Sequence, residues 1–404
     1  MKKVILKNGL TVVLVKKPTD SVALMATVKV GSNYEPKPQS GISHFIEHML
    51  FEGTKLRPSA RLIANEIESI GGEINAYTST ERTSFYVKVL GRHFDRGLDI
   101  ITDIIQNPLF DPKTTEKERK IILKEINMVT DEPRYHQWIL FQKTLFKKHP
   151  ARNPTYGTVK AVKSMKRKDL IKHYKQFYKP NNIVLTIVGD IDKKALRKID
   201  EKLKNFKPAK LKKLKKIKEP EQKNPVKSTE KRKVLSSYMV LGYKTPVRIT
   251  DDSYALDVVR AILGRGQSGK IFDEIRNKRG LAYDVGVHYE SAVDYSYFAV
   301  HVNTHKDNIK KCVKIILSEI KKLKNLTEEE LKEAKDYLEG EFYLQNEDNY
   351  QYADQLGFWE LVKDSRLMDE YLKKIKKVTK RDVSRVVDKY LGNNYALAII
   401  EQKS

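Results

Sequence analysis

SGISHFIEHMLFEG, residues 40–53, carries the pattern that decides how this chain is read. Ser40 can cap a helix and Gly53 can end one, so residues 41–52 are predicted helical. Ile42, Phe45, Ile46, Met49, Leu50 and Phe51 leave that helix apolar almost all round, which predicts burial. His44, Glu47 and His48 nevertheless lie within it. Histidines four residues apart share one face, so both imidazoles can converge on one point with Glu47 beside them. Such groups are costly to bury unless something satisfies them, and a divalent cation does so directly. The bland alternative is a pair of hydrogen-bonded core histidines beside a chance glutamate.

A catalytic zinc site takes three protein ligands and keeps one position open. The stretch KTTEKERKIILKEINMVT, 113–130, is a predicted amphipathic helix whose apolar arc is set by Ile121, Ile122, Ile126, Met128 and Val129. Projected at 100° per residue, Glu118 and Glu125 fall within roughly 20° of the middle of that arc. Two carboxylates two turns apart on a buried face suit metal ligation by one and support of a ligand by the other. Charged ends reaching solvent at the helix edge are the alternative, and that fits Glu118 better than Glu125. Glu125 is therefore the expected third ligand.

Farther out, 404 residues suggest two or three domains. The formal charge of +26 is spread over mixed-sign helical stretches such as 309–339, which reads as a basic surface and not as a nucleic-acid site. A single cysteine, Cys312, excludes disulfides within the chain and a thiolate-built zinc site, and it is expected to be a small packing residue. The N-terminal MKKVILKNGLTVVLVKKP begins like a secretion signal, but Lys7, Asn8 and Gly9 interrupt it. A hairpin is predicted instead, with strands 3–6 and 11–15 joined by a type I′ turn at Asn8-Gly9. No apolar run reaches the length of a membrane span. The expectation is a soluble, cytoplasmic protein.

Composition shifts once, across the lysine-rich, proline-punctuated stretch 204–233. This predicts a zinc-binding catalytic domain at 1–205, a linker at 206–229 and a second domain at 230–404. The halves share a pattern and close alike, with DLIKHYKQFY then NIVLTIVGDI in one and DVSRVVDKYL then NYALAIIEQ in the other. The predicted fold is α+β, two similar domains, each a mainly antiparallel sheet with helices packed on it.

HFIEHMLFEGT at 44–54, the Glu118/Glu125 pair and the 76 residues between His48 and Glu125 come in a recognisable order. So do KNGLTVVLV, GGEINAYTSTERTSFY at 71–86 and HP…YGT at 149–158. Together they resemble the pitrilysin, insulin-degrading enzyme and mitochondrial processing peptidase family of inverzincin zinc peptidases, over nearly the whole chain. The resemblance implies one zinc per chain held by His44, His48 and Glu125, with Glu47 activating water and Glu118 supporting the site. SGKIFDEIRNKRGLAYDVGVHYE, 268–290, reads as a helix stopped by Gly280 and a strand from about Leu281. It resembles the family's arginine–tyrosine motif, implying that Arg276 and Tyr283 bind the peptide backbone and stabilise the oxyanion. INAYT, 74–78, matches the family's substrate-binding edge strand. That match implies contact of Asn75 and Ala76 with peptide, where the residues alone suggest an ordinary strand and turn.

Long family members have four such domains and enclose the site in a chamber. A two-domain chain is therefore expected to form a homodimer that shares its active sites and cleaves unfolded peptides, with no nucleic-acid or membrane partner. Three readings stay open: a non-catalytic assembly subunit, a presequence-processing peptidase and a basic nucleic-acid binder. The ligands would also accept divalent ions other than zinc.

Overall fold

The computed structural model describes residues 1–211 and 217–403. After β1 (Lys2–Ile5), ten principal elements follow in order. They are β2 (Thr11–Lys16), β3 (Ser21–Val28), α1 (Ile42–Phe51), β4 (Glu73–Thr78), β5 (Thr83–Leu90), α2 (Phe94–Gln106), α3 (Pro112–Asp131), α4 (Pro133–Leu145), α5 (Arg167–Phe177) and β6 (Ile183–Gly189). The second half repeats the order. It runs β7 (Val226–Arg232), β8 (Ser237–Lys244), α6 (Asp252–Gly264), β9 (Ala282–Ser291), β10 (Ser296–Thr304), α7 (Ile309–Lys322), α8 (Glu328–Glu347), α9 (Asn349–Val362), α10 (Lys380–Tyr390) and β11 (Ala396–Gln402).

The sheets repeat as well. The first has strand order β1-β2-β6-β3-β5-β4 and the second β7-β11-β8-β10-β9. In each, the last strand lies parallel to the first of its repeat and antiparallel to the second, and the remaining pairs are antiparallel. This is the expected α+β pair of similar domains. β6 is buried along its whole length, as a strand covered on both faces must be, which accounts for its mainly apolar sequence IVLTIVG. In β3 the alternation sorts two faces. Val22, Leu24, Ala26 and Val28 join the core shared with Ile42, Phe45 and Ile46 of α1, while Thr27 turns the other way.

What covers that other face is an exchange. α9 packs on β3 and β6, close enough that a Cβ on Gly357 would meet Thr27 Oγ1 at 3.0 Å. α4 packs on β7, β8 and β11, and a Cβ on Gly242 would meet Phe141 Cζ at 2.6 Å. The first compact unit thus takes Gln345–Met368 from the second half of the sequence, and the second unit takes Met128–Asn153 from the first. The contiguous division at 1–205 and 230–404 does not describe this reciprocal trade. The expected linker 206–229 includes residues 212–216, outside the described residues, and its last four positions already belong to β7.

Three local expectations need correction. The N-terminal hairpin closes through Leu6 N–H to the Leu10 carbonyl at 2.9 Å, and Gly9 alone has positive φ (82°). A type I′ turn needs positive φ at both central residues, so this is a three-residue loop with Gly9 in the left-handed position. Ser40 does not cap α1; the N-cap is Gly41 at φ 91°. The apolar arc of α3 is narrower than drawn: its buried face is Thr115, Glu118, Ile122 and Ile126, while Ile121 and Met128 are exposed. Cys312 is fully buried and unpaired. Among the described residues no helix is long and apolar enough to cross a membrane.

Candidate metal centre

α1 is buried on all but one stripe, and the exception is made by Glu47, His48 and Phe51. Its start is held by a residue from the turn just before it. Both oxygens of Glu35 accept backbone N–H groups there, from Gly41 at 2.6 Å and from Ser43 at 2.9 Å. They occupy donors that a helix N-terminus otherwise leaves unpaired. Burial nevertheless pushes the Glu35 carboxyl up to about 7. Gly41 admits no side chain, because a Cβ would lie 2.4 Å from the Tyr156 carbonyl oxygen.

The imidazoles of His44 and His48 meet edge to face with ring centroids 4.7 Å apart. Glu125 of α3 faces both. One carboxylate oxygen is 3.5 Å from His44 Nε2 and the other 3.7 Å from His48 Nε2. These separations are long for hydrogen bonds. They are close to the roughly 3.3 Å between two donors that each sit about 2.05 Å from one tetrahedral zinc ion. Among the described residues, His44, His48 and Glu125 form a group of ligand atoms all within 4.8 Å of one another.

The surroundings suit a cation. Burial, aided by the neighbouring His48, pushes His44 down to about 3, which keeps it the neutral imidazole that a metal requires. Burial also raises the Glu125 carboxyl, against the pull of His48. His48 is raised: burial opposes its charge, but the hydrogen bond to Glu118 and the charges of Glu47, Glu118 and Glu125 prevail. The Glu118–His48 bond, 3.0 Å from carboxylate to Nδ1, turns Nε2 toward Glu125. Such a carboxylate–histidine contact fixes tautomer and ring orientation. Glu118 is 4% exposed, so packing removes the edge-of-helix alternative for it. Lys117 lies 3.2 Å from its other oxygen and helps keep its carboxyl low despite burial.

Glu47 lies beside the triad. Burial raises its carboxyl, and its Oε2 accepts the hydroxyl of Thr78. Thr78 ends β4, the edge strand of the first sheet. Asn75 and Ala76 sit on that strand, where the Asn75 side chain accepts its neighbour's N–H at 2.8 Å. Arg276 and Tyr283 belong to the second unit. Arg276 occupies a π-helical turn, Asp273–Asn277, and its guanidinium stacks over Tyr283 at 4.7 Å and Phe272 at 5.0 Å. Tyr283, on β9, is 79% exposed.

Thr78 and Glu35 escaped the reading of single motifs. Thr78 had a signal, since period-two alternation puts it on the same face of β4 as Ala76 and Ile74. Glu35 had none, because it stands six and eight residues before its partners, outside the spacing of a capping box.

Residues 11–159 match the insulinase domain of Peptidase family M16, and residues 164–338 match the Peptidase M16 inactive domain. The chain belongs to the M16 peptidase family. An uncharacterized zinc protease of Rickettsia felis is 33% identical over 362 residues, 87% of this chain and 85% of that protein. The uncharacterized zinc protease YmxG of Bacillus subtilis is 28% identical over 404 residues, 99% and 98% of the two chains. In fold, the chain is similar to a protease from Helicobacter pylori, with TM-score 0.93 and 24% identity over 99% of both chains. It is also similar to an M16 inactive-domain protein of Pseudomonas fluorescens, with TM-score 0.89 and 19% identity over 100% of this chain and 98% of that one. M16 membership and the names of these relatives agree with the donor set at α1 and α3, all of it within the segment matching the insulinase domain.

Proposed function

We propose that this M16 chain is a zinc-dependent endopeptidase that hydrolyses unfolded peptides. The observation that carries the reading is the convergence of His44, His48 and Glu125 on one point with Glu47 adjacent. His44, His48 and Glu125 would hold one zinc per chain, and Glu118 would orient His48. Bound there, zinc supplies Lewis acidity, which polarises a carbonyl and lowers the pKa of water. Glu47 takes the proton of the attacking water and delivers it to the leaving amine. The free edge of β4 receives the peptide as an added strand along Asn75 and Ala76. Main-chain hydrogen bonds then hold it with little demand on sequence.

Arg276 and Tyr283 are suited to donate to the oxyanion, one by a fixed cation and one by a phenol. We assign them to the site of a second copy, so that a homodimer forms a chamber with two active sites. The exposure of Tyr283 supports this, since a surface phenol stacked on an arginine is ready for a ligand. Among its described residues the segment matching the inactive domain has no three His, Cys, Asp or Glu whose ligand atoms converge as those of His44, His48 and Glu125 do, so we assign both zinc sites of the dimer to the 11–159 segment.

Metal analysis and peptide hydrolysis by wild type and Glu47→Gln test the assignment. About one zinc per chain is expected in both proteins, with hydrolysis lost in the variant. Retained hydrolysis would remove Glu47 from its role. Size-exclusion chromatography at assay concentration tests the shared site, which an active monomer would refute.

A further inference from the structure

We propose that Thr78 is a positioning residue for Glu47, tying the general base to the strand that receives the peptide. This rests on the reading of Glu47 as the base, and goes beyond it.

Among the described residues, the Thr78 hydroxyl supplies the one hydrogen bond to the Glu47 carboxylate. A buried carboxylate with one donor is oriented by that donor. Oε2 is occupied by Thr78, so Oε1 is left to face water. Threonine suits the task because branching at Cβ restricts χ1 and fixes where the hydroxyl points.

The strand that carries Thr78 is itself fixed. β4 is an edge strand paired only with β5, with Thr78 opposite Thr83. Register is weakly specified in a strand that does not bury one face fully, and β4 has no fully buried residue. Here the opposite face of β4 is locked by the preceding residue. Tyr77 donates its hydroxyl to Asp354 of α9, Arg82 Nε donates to the Tyr77 hydroxyl at 2.7 Å, and Arg82 Nη2 reaches Asp354 Oδ2 at 3.1 Å. Successive side chains of one strand therefore do opposite jobs. Tyr77 anchors β4 to α9, and Thr78 transmits that position to Glu47. A peptide paired along β4 then has its scissile carbonyl and the base registered by the same backbone. In the reaction Glu47 accepts a proton from water as the carbon–oxygen bond forms, then returns it to nitrogen as the carbon–nitrogen bond breaks. Thr78 keeps its own proton throughout.

Thr78→Val preserves shape and removes the hydroxyl; Thr78→Ser restores it. Zinc content and KM are expected to stay within about twofold in both variants, whereas kcat in Thr78→Val falls roughly 10- to 100-fold, part of the 10²–10⁴ that a positioned base contributes. Thr78→Ser should recover to within about threefold of wild type. Binding supplies a readout independent of turnover. A peptide hydroxamate is a zinc ligand whose acidic proton the base must take, and its Kd should weaken about tenfold in Thr78→Val only. If the valine variant does not fold, Thr78→Ala takes its place. Wild-type kcat and hydroxamate affinity without the hydroxyl, or a serine variant as impaired as the valine one, would overturn the proposal while Glu47→Gln stays inactive. Activity in Glu47→Gln would instead overturn the assignment of the base, and Thr78's role with it.

Discussion

Glu125 and Glu341 are each the fourteenth residue of a twenty-residue helix, Pro112–Asp131 and Glu328–Glu347, at the same place in the two repeats. Both face a helix that follows the second strand of its repeat, yet they meet different cations. Glu341 is met by Arg260 of α6, whose guanidinium donates to both carboxylate oxygens. Deeper in the same unit, Arg248 forms a two-pronged pair with Asp257 at 2.6 and 3.1 Å. Glu125 meets two imidazoles, of which His44 is held neutral. One copy of the scaffold carries its positive charge covalently, on arginines. On the proposed reading the other leaves a place for a diffusible ion, which has a coordination position to offer a substrate.

The largest effect should come from taking that ion away. With zinc a thousandfold above its Kd, binding stabilises the folded unit by about 4 kcal/mol. Chelation should therefore speed hydrogen exchange at amides of α1 and α3 and leave α6 and α8 unchanged. Equal loss of protection in both helix pairs would break the contrast. Next in size, Asp257→Ala removes both carboxylate hydrogen bonds of the buried Arg248 guanidinium and should cost about 3 kcal/mol in denaturant unfolding, with zinc stoichiometry intact. A cost below about 1 kcal/mol would show that the second unit does not depend on its built-in charge.

The smallest effect concerns pH. Glu219 is partly buried, yet Lys244 and the N–H groups of Lys147, Lys148 and His149 hold its carboxyl down to about 2. A lowered carboxylate stabilises above its ordinary value of 4.5, and that contribution disappears as pH falls from there toward 2. Allowing for solvent screening, the loss should be about 1 kcal/mol, and Glu219→Gln should flatten the acid limb of stability by that amount. Glu35 in the first unit has the opposite sign. Raised to about 7, it favours the folded state below its ordinary 4.5 and loses that contribution as pH rises through 7. An acid limb unchanged in Glu219→Gln would show the clamp to be inert.

How much of this the amino-acid sequence discloses depends on the range of the interaction. The H-x-x-E-H helix and the projection of Glu118 and Glu125 onto one face are local, periodic signals, and both are legible. So is the duplication, through the repeated helix-then-strand endings. The bond from Thr78 to Glu47 joins residues 31 apart in sequence, and the clamp of Tyr77 by Asp354 joins residues 277 apart; neither has a local signature. The helix exchange was hidden for another reason. PRYHQWILFQKTL and NYQYADQLGFWELV present apolar and polar residues all round, so nothing in either helix names the sheet it will cover.

That exchange governs how the protein can be made. A chain emerging from the ribosome completes the Glu47 and His48 segment early, but α9, which covers β3 and β6 and carries Asp354, follows some three hundred residues later. Domains that are contiguous in sequence can fold in the order of their synthesis. Here one face of the first sheet is covered by a helix from the far half, so a product truncated before residue 349 lacks both that cover and Asp354.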